Sequence, residues 1–231
     1  LQSIRYESEK YGPSNYSIYM NKDYGNVKGY TFSFTKRYDP ISKTSAFVDY
    51  TYQVTEGNSV TPGSFYYNAL SGEQDEKRIV PLAWDQRHIL NTNISIGDPR
   101  NWNVGVISKL SSGWPYTPNI PDANYIPQPN SSRKPWQWRI DMRIHKNLKV
   151  RNLNYLFFMK IYNLLDRRNE RYVFNDTGRA GYTYVYQSTQ ETQGFKNHYG
   201  ESGVHEWSEY QLRPHYYTSP RSINIGLSID F

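Results

Sequence analysis

The last ten residues of the chain alternate without a break between apolar and polar side chains. Ile, Leu or Phe occupies every odd position from 223 to 231, and a small or polar residue occupies every even position from 222 to 230. Such period-two alternation predicts a β-strand with one apolar and one wet face. Ten residues also suffice for a tilted strand to cross a bilayer. By itself, the pattern is compatible with a membrane barrel and with a soluble sheet.

The same alternation recurs along the chain, while helical periodicity is nearly absent. We therefore predict an all-β fold with about eight antiparallel strands. The predicted strands lie near residues 16–21, 30–35, 46–54, 90–96, 103–110, 139–145, 153–165 and 222–231. The alternation is least regular in the first of them. In the seventh strand, Phe157, Met159 and Ile161 are expected on one face and Lys160 on the other.

The predicted connections between strands alternate in length. The long ones are residues 56–83, 113–135 and 166–220, and the short ones are residues 39–43, 97–101 and 147–152. Only the connection near residues 23–25 is short where a long one is due. Outer-membrane barrels combine short periplasmic turns with long extracellular loops. The lengths thus predict an antiparallel transmembrane β-barrel segment, with its C-terminus on the periplasmic side.

The composition is compatible with a barrel, although hydrophobic residues make up only 37% of the chain. Half of each barrel strand faces the lumen, which keeps the apolar fraction low. No run approaches the 18 apolar residues of a transmembrane helix. The chain has 23 Tyr and 6 Trp. These residues favour places where a ring is buried and its polar end is wet, as at a membrane interface, a carbohydrate-binding site or a protein-binding surface.

Other features argue against several functional classes. The formal net charge is +6, but charges of both signs are interspersed, so we do not expect nucleic-acid binding. The absence of Cys excludes disulfides and thiolate metal sites. Phosphate-binding glycine loops and serine nucleophile elbows are also missing, so we expect no enzymatic activity and no cofactor. The chain opens with patterned polar sequence, and we expect its export signal to lie upstream.

A soluble antiparallel sandwich also alternates apolar and polar residues. Two features favour the membrane barrel over it. Arg139, Asp141 and Arg143 place charges of both signs on one strand face, which suits a water-filled lumen. The predicted strands are also longer than the usual five or six residues.

Five local strings carry a more specific signal. They are NKDYGNVKGY at residues 21–30, WDQRHILN at 84–91, GWPYTP at 113–118, IYNLLDRRN at 161–169 and NDTGRAGY at 175–182. In this order, and with Phe231 as the last residue, they resemble the C-terminal part of the barrel of TonB-dependent outer-membrane receptors of the Bacteroidetes type. The resemblance covers most of the chain, from about residue 16 onward.

The resemblance implies a place and a function. Receptors of this family have 22 strands around a plugged lumen, so residues 1–231 would be about the final third of the barrel, without the signal peptide or plug domain. The protein would reside in the outer membrane of a Gram-negative bacterium and take up an iron chelate, cobalamin, a glycan or a peptide. Its partners would be membrane lipid, the plug domain, the TonB complex, an unknown small ligand and the barrel-assembly machinery. The terminal Phe231 would be part of the signal that this machinery reads.

Charged residues predict contacts in the lumen. Asp85 and Arg87 are two residues apart, hence expected on one strand face, and we interpret them as an ion pair that stiffens the wall. The Arg139, Asp141 and Arg143 set is interpreted in the same way. His88 falls on the opposite face, where an interfacial role is expected rather than catalysis or metal binding.

Aromatic residues predict the ends of the barrel and a possible ligand site. Trp114, Tyr116, Trp136 and Trp138 lie where strands meet long loops and suit an aromatic girdle. Ligand stacking is the alternative for these four residues, and the candidate ligand contacts are Trp114, Tyr116 and, in the last loop, Trp207 and Tyr210. That loop also holds His198, His205 and His215, but their spacing matches no compact metal motif, so no metal is expected.

Two other functions remain open from the sequence. The chain could be a complete small outer-membrane barrel with an adhesive or structural role. It could also be a soluble, aromatic-rich β-sandwich that binds carbohydrate.

Overall fold

The computed structural model describes residues 2–8, 12–18, 24–58, 78–119, 127–184 and 212–230, with the backbone alone for the first two stretches. These residues form β-strands and one short 3-10 helix, Pro214–Tyr216. The strands are β1 (Gln2–Ser8), β2 (Gly12–Ile18), β3 (Gly25–Asp39), β4 (Thr44–Gly57), β5 (Val80–Pro81), β6 (His88–Asp98), β7 (Trp102–Ser111), β8 (Pro115–Tyr116), β9 (Ser132–Arg133), β10 (Gln137–Val150), β11 (Leu153–Tyr162) and β12 (Ser222–Asp230). In the described part, no helix is long and apolar enough to span a membrane.

One large antiparallel sheet dominates the fold. Its seven long strands follow the order β12-β11-β10-β7-β6-β4-β3, and the short strand β5 adds to β4 as the eighth. The pairs β1–β2 and β8–β9 form two separate two-stranded sheets. The predicted all-β, antiparallel architecture with about eight strands is therefore confirmed. Of the strand predicted at residues 16–21, residues 16–18 lie in β2, which pairs with β1 and not with the large sheet, and residues 19–21 lie outside the described residues.

Residues that face each other across the large sheet share their polarity. One row of direct partners crosses six strands and consists of Ala46, Ile94, Val106, Met142, Ile161 and Ile223. Directly opposed residues of antiparallel strands point to the same side of the sheet. The rows above and below are also mainly apolar, so the register builds one continuous apolar face. The predicted placement of Phe157, Met159 and Ile161 together on this face, opposite to Lys160, is confirmed.

The other face of the sheet is polar. A row of direct partners there consists of Ser33, Asp49, Asn91, Lys109 and Arg139. Side-chain hydrogen bonds join neighbours on this face, for example the direct partners Ser33 and Asp49 at 2.5 Å and the diagonal neighbours Asn103 and Ser95 at 2.7 Å. The alternation along each strand is thus converted by the register into two faces of opposite character.

The apolar face is exposed over much of its area. Ile225 retains 80% of its accessible surface, Phe32 67% and Leu227 50%. The only apolar side chains of the described part that are buried are Val80, Ile161, Val173 and Ala180. Within the described residues, no second sheet packs on this face, and the edge strands β3 and β12 do not pair with each other. The described sheet is therefore open and single-layered.

The two ends of the sheet differ, as the connection lengths predicted. Residues 40–43, 99–101 and 151–152 make short turns at one end. Lys43 and Arg151 adopt left-handed backbone angles there, with φ of 51° and 56°. The long connections, residues 58–87, 112–136 and 163–221, leave and re-enter the sheet at the other end, which we call the loop end. Strand β10 continues to Val150, so its turn is shorter than the predicted residues 147–152.

Phe158 and Gly226 form a close contact between the last two long strands. They are direct partners, and the ring of Phe158 lies over the backbone of Gly226. A Cβ atom at position 226 would lie within 3.0 Å of three atoms of that ring. Aromatic side chains commonly cover a strand glycine in this way.

Candidate functional site

Asp85 is the centre of a buried polar cluster at the loop end. Its side chain is fully buried, and its Oδ1 accepts a hydrogen bond from the backbone N–H of Thr55 at 2.9 Å. Its Oδ2 accepts from Arg87 Nε at 3.3 Å and forms an ion pair with Arg133. Asp85 and Arg87 were expected on a strand face, but both lie in the segment just before β6. The cluster joins β4, this segment and β9.

The second long connection is attached to the sheet through β9 and its neighbours. Arg133 also donates from Nη1 to the backbone oxygen of Asp85 at 2.8 Å. Asn130 donates from Nδ2 to the Pro81 oxygen at 2.7 Å, and its N–H donates to Thr117 Oγ1 at 3.0 Å. These bonds hold the described parts of the second connection, residues 112–119 and 127–136, against the preceding connection, so two loops that are remote in sequence form one platform.

The last long connection starts from a hydrogen-bonded base. Asn163, only 4% exposed, has a left-handed φ of 54° directly after β11. Its N–H donates to Asp141 Oδ1 at 2.8 Å, and its side chain donates to the oxygens of Arg167 and Ser219 at 3.1 and 3.0 Å. Because Ser219 lies just before β12, one asparagine joins both ends of the loop.

Next to this base, the side chain of Asn169 bonds to the backbone of β10 in place of a neighbouring strand. Its Oδ1 accepts from the Trp138 N–H, and its Nδ2 donates to the Trp138 oxygen, both at 2.9 Å. The side-chain amide thereby satisfies both backbone groups of Trp138, as a paired strand would.

Glu170 and Arg179 fold the next part of the last connection into a compact hairpin-like unit. The guanidinium donates to Glu170 Oε1 at 2.7 and 3.0 Å, and the Ala180 N–H donates to Oε2 at 2.7 Å. The hydrogen bond and charge of Glu170 raise the pKa of Arg179 above its usual value. Gly178, with φ of 69°, lies directly against the hydroxyl of Tyr116, so the last connection also contacts β8.

A small cavity opens in this part of the loop end. Its volume is about 270 Å³, and Val173, Phe174 and Tyr216 supply its apolar wall. Asn119, Asn175 and Asp176 supply polar groups. The backbone N–H of Asn119 donates to the Asn175 oxygen at 2.9 Å, which fixes the two asparagines relative to each other.

An aromatic patch covers the loop end of the apolar face. The rings of His88 and Trp136 stack with centroids 5.5 Å apart, and the centroid of the Tyr52 ring lies 5.2 Å from that of His88. Tyr30 stacks on Tyr52 at 5.3 Å, and Tyr50 bonds His88 Nδ1 through its hydroxyl at 2.9 Å. The patch places polar ring ends beside an apolar band, the arrangement that aromatic rings adopt at a membrane interface.

The charges predicted for the lumen lie on or near the polar face. Arg139 and Asp141 form an ion pair with Nε and Oδ1 2.8 Å apart. Arg143 and Lys160 are direct partners on β10 and β11, and neither forms an ion pair with a described residue. Lys160 instead lies over the ring of Phe158, 5.5 Å from its centroid. The middle of the polar face therefore carries positive charge in excess.

The predicted aromatic ligand residues are partly described. Trp114 is 43% exposed between β7 and β8, and Tyr116 is half-buried against Gly178. Trp207, Tyr210 and Phe231 lie outside the described residues, as do His198 and His205. His215 is described, with its ring 4.9 Å from that of Tyr216. No group of three or more His, Cys, Asp or Glu residues within the described ranges could hold a metal ion.

Several important residues were missed by the sequence reasoning. Arg133 is the main partner of Asp85, yet it was not singled out. The Glu170–Arg179 pair and the cavity near Asp176 were also missed. The string NDTGRAGY contains turn-forming Asn, Asp and Gly residues, and these are the sequence signal that indicates a compact loop here.

Comparison of the chain with protein-family models, with curated proteins and with solved structures gives no match. The class that the described residues define is thus an antiparallel β-sheet protein with one apolar and one polar face.

Proposed function

We propose that the chain is a wall segment of a TonB-dependent outer-membrane receptor that takes up a scarce nutrient. The observation that carries the proposal is the two-faced sheet. Its apolar face is continuous over seven long strands and exposed, and its polar face bears charges of both signs. In a barrel wall, the first face contacts lipid and the second contacts water in the lumen.

The exposed apolar area needs a cover, and lipid suits it best. Soluble monomers rarely expose contiguous apolar patches larger than a few hundred Å². The seven long strands of the large sheet have 9 to 15 residues. The other described strands are shorter, with seven residues in β1 and β2 and two residues in β5, β8 and β9. That length matches tilted strands in a bilayer. A sandwich would divide these strands between two layers, whereas the seven long strands here lie in one sheet.

The open edges support a segment of a wide barrel rather than a small complete one. A bilayer contains no water to satisfy the free backbone groups of an edge strand, so spanning sheets must close. The described edges β3 and β12 do not close on each other. On this proposal, further strands complete the ring and a plug domain fills the lumen, contacting the excess positive charge of Arg143 and Lys160.

The loop end completes the proposed function. Its three long connections would lie outside the cell, with the aromatic patch of His88 and Trp136 at the outer interface. The ligand would be captured there and enter the periplasm when the TonB complex moves the plug. No residue of the described part is assigned a catalytic role, and no cofactor enters the proposal.

Site-directed spin labels on β10 test the membrane orientation. Labels at Ile140, Met142 and Ile144 should be relaxed by oxygen dissolved in the lipid, after incorporation of the chain into vesicles. Labels at Arg139 and Asp141 provide the matched control on the other face and should respond to a water-soluble nickel chelate instead. The opposite response, or a monomer that melts cooperatively in buffer without detergent, would reject the membrane function.

The gene sequence upstream of Leu1 tests the family. A plug domain encoded in frame before Leu1 is expected. A signal peptide encoded directly before Leu1 would instead favour the complete small barrel with an adhesive or structural role.

A further inference from the structure

The cavity beside Asp176 contains polar groups that the described fold does not use. Asp176 Oδ2 accepts from Thr183 Oγ1 at 2.8 Å and from the Tyr184 N–H, whereas Oδ1 accepts from no described residue. The side-chain amides of Asn119 and Asn175 likewise form no hydrogen bond with a described residue. Both of these asparagines are exposed, so their amides are available to a ligand.

The apolar part of the same cavity is made of rings. Phe174 and Tyr216 have centroids 5.2 Å apart and an interplanar angle of 48°, so they form an angled wall instead of a flat stack. Val173 lines the same cavity and is buried, with 9% of its surface accessible. The Tyr216 hydroxyl bonds to no described residue, and it adds a group that can donate or accept. The wall therefore offers CH-binding ring faces next to polar tips.

The lining combines donors and acceptors, which favours hydroxyl groups over groups that only donate or only accept. An amide offers a donor and an acceptor side by side, a carboxylate oxygen only accepts, and a phenol does either. A hydroxyl group can bond to the amide, the carboxylate and the phenol alike. An ammonium group only donates, so it leaves the amide N–H groups without an acceptor. The lining contains a carboxylate and no cationic side chain, which disfavours an anion. The volume of about 270 Å³ lies just below the roughly 300–1,000 Å³ of sites for drug-sized ligands, so one small ring suits it.

We infer that this cavity binds a neutral, hydroxyl-rich ring, with pyranose sugar as the fitting chemical class. The apolar face of the sugar would lie on Phe174 and Tyr216, and its hydroxyls would bond to Asn119, Asn175 and Asp176 Oδ1. Its role as the capture site for a transported nutrient rests on the proposed function, but the binding itself does not.

Saturation-transfer NMR on the full chain in phosphatidylcholine vesicles tests the site. The probes are methyl glucopyranoside and methyl galactopyranoside, with glucuronic acid as the anionic counterpart and glucosamine as the cationic one. At least one neutral glycoside should bind, with an affinity of about millimolar. Repeating the titration with lipopolysaccharide in the vesicles separates two sources of sugar. If lipopolysaccharide competes with the glycoside, the ligand is the sugar of a lipid headgroup, and if it does not compete, the ligand is a free saccharide.

Three single substitutions and one control localise the binding. Asn119→Ala, Asn175→Ala and Tyr216→Phe each remove polar groups without removing the ring wall, and each should weaken binding roughly 2- to 10-fold. Asn154→Ala removes an exposed asparagine at the opposite end of the sheet and should change nothing. The unchanged strand signal in circular dichroism checks that each variant folds.

The outcomes are distinguishable. Absence of binding by every neutral glycoside, tighter binding of glucuronic acid or glucosamine, or equal binding by all variants overturns the inference. If the chain enters vesicles but binds no glycoside, the inference fails and the membrane function stands. If it binds a glycoside while remaining monomeric in buffer, the membrane function fails and the inference stands.

Discussion

The guanidinium of Arg133 donates hydrogen bonds both to the side-chain carboxylate and to the backbone oxygen of Asp85. The two residues are 48 positions apart. Their contact connects the first and second long connections, and it does so around a carboxylate that is fully buried. A buried carboxylate that is also bonded to Thr55 and Arg87 depends on all of its partners.

Replacement of Asp85 should therefore destabilise the loop end. Asp85→Ala leaves Arg133 and the Thr55 N–H without their acceptor and should lower the free energy of unfolding by about 3 kcal/mol. Denaturant unfolding in detergent, followed by Trp fluorescence, measures this. The control Asp230→Asn removes the charge of an exposed strand residue and should cost less than about 0.5 kcal/mol. Equal effects of the two variants would show that the cluster does not hold the loops.

Asn163 should be hard to replace, for two separable reasons. Asn163→Ala loses the bonds to Arg167 and Ser219. It also places alanine, which tolerates left-handed backbone angles less well than asparagine, at a φ of 54°. We expect a loss of roughly 2–4 kcal/mol from the buried hydrogen bonds and the left-handed backbone together. Asn163→Gly removes only the bonds and should cost about 1 kcal/mol less than the Ala variant. A Gly variant as unstable as the Ala variant would mean that the backbone angle contributes nothing.

The two faces of β12 should respond differently to charge. Leu227→Arg places a cation on the apolar face near the middle of the strand, and its expected cost in a bilayer is roughly 2–4 kcal/mol. Ser228→Arg places the same cation on the polar face, where we expect a much smaller effect. The measurement is the folding equilibrium in phosphatidylcholine vesicles. Similar losses in both variants would contradict the assignment of the faces.

Lys134 should titrate below its ordinary value. Burial lowers its pKa from 10.5, and its Nζ donates to the Arg171 oxygen at 3.2 Å. Between the folded pKa and 10.5, the unfolded chain binds more protons than the folded one. Stability should therefore rise with pH in that window.

The titration can be followed directly for this side chain. NMR of ¹³C-labelled lysine, assigned with the Lys134→Arg variant, gives the folded midpoint, and the same titration in urea gives the unfolded reference. A folded midpoint at or above the urea value would contradict the prediction.

Regular strands were accessible from the sequence because alternation is a local property. Tyr30, Phe32 and Phe34 show their face without knowledge of any partner, and the pairing with Tyr52, Tyr50 and Val48 follows from the short turn that joins β3 to β4. Connection lengths are also visible along the chain, so the two ends of the sheet could be assigned.

The loop end was not accessible in the same way. The Arg133–Asp85 contact depends on how two irregular segments fold over the sheet, and no periodicity relates residues 48 positions apart. The cavity depends on the backbone turn at Gly178 and on the angle between Phe174 and Tyr216. Such geometry arises from many weak contacts in three dimensions. Local propensity therefore locates the strands but not the site.

Phe158 and Gly226 have a consequence for how the last strand finds its place. A shift of β12 by two residues would keep the apolar face intact, because side chains alternate with a period of two. Alternation therefore cannot distinguish the correct alignment from one shifted by two. Such a shift would bring Asn224 or Ser228 under the Phe158 ring, where their Cβ atoms have no room. The Phe158 ring therefore requires a glycine opposite it, and only one alignment of the final strand provides it.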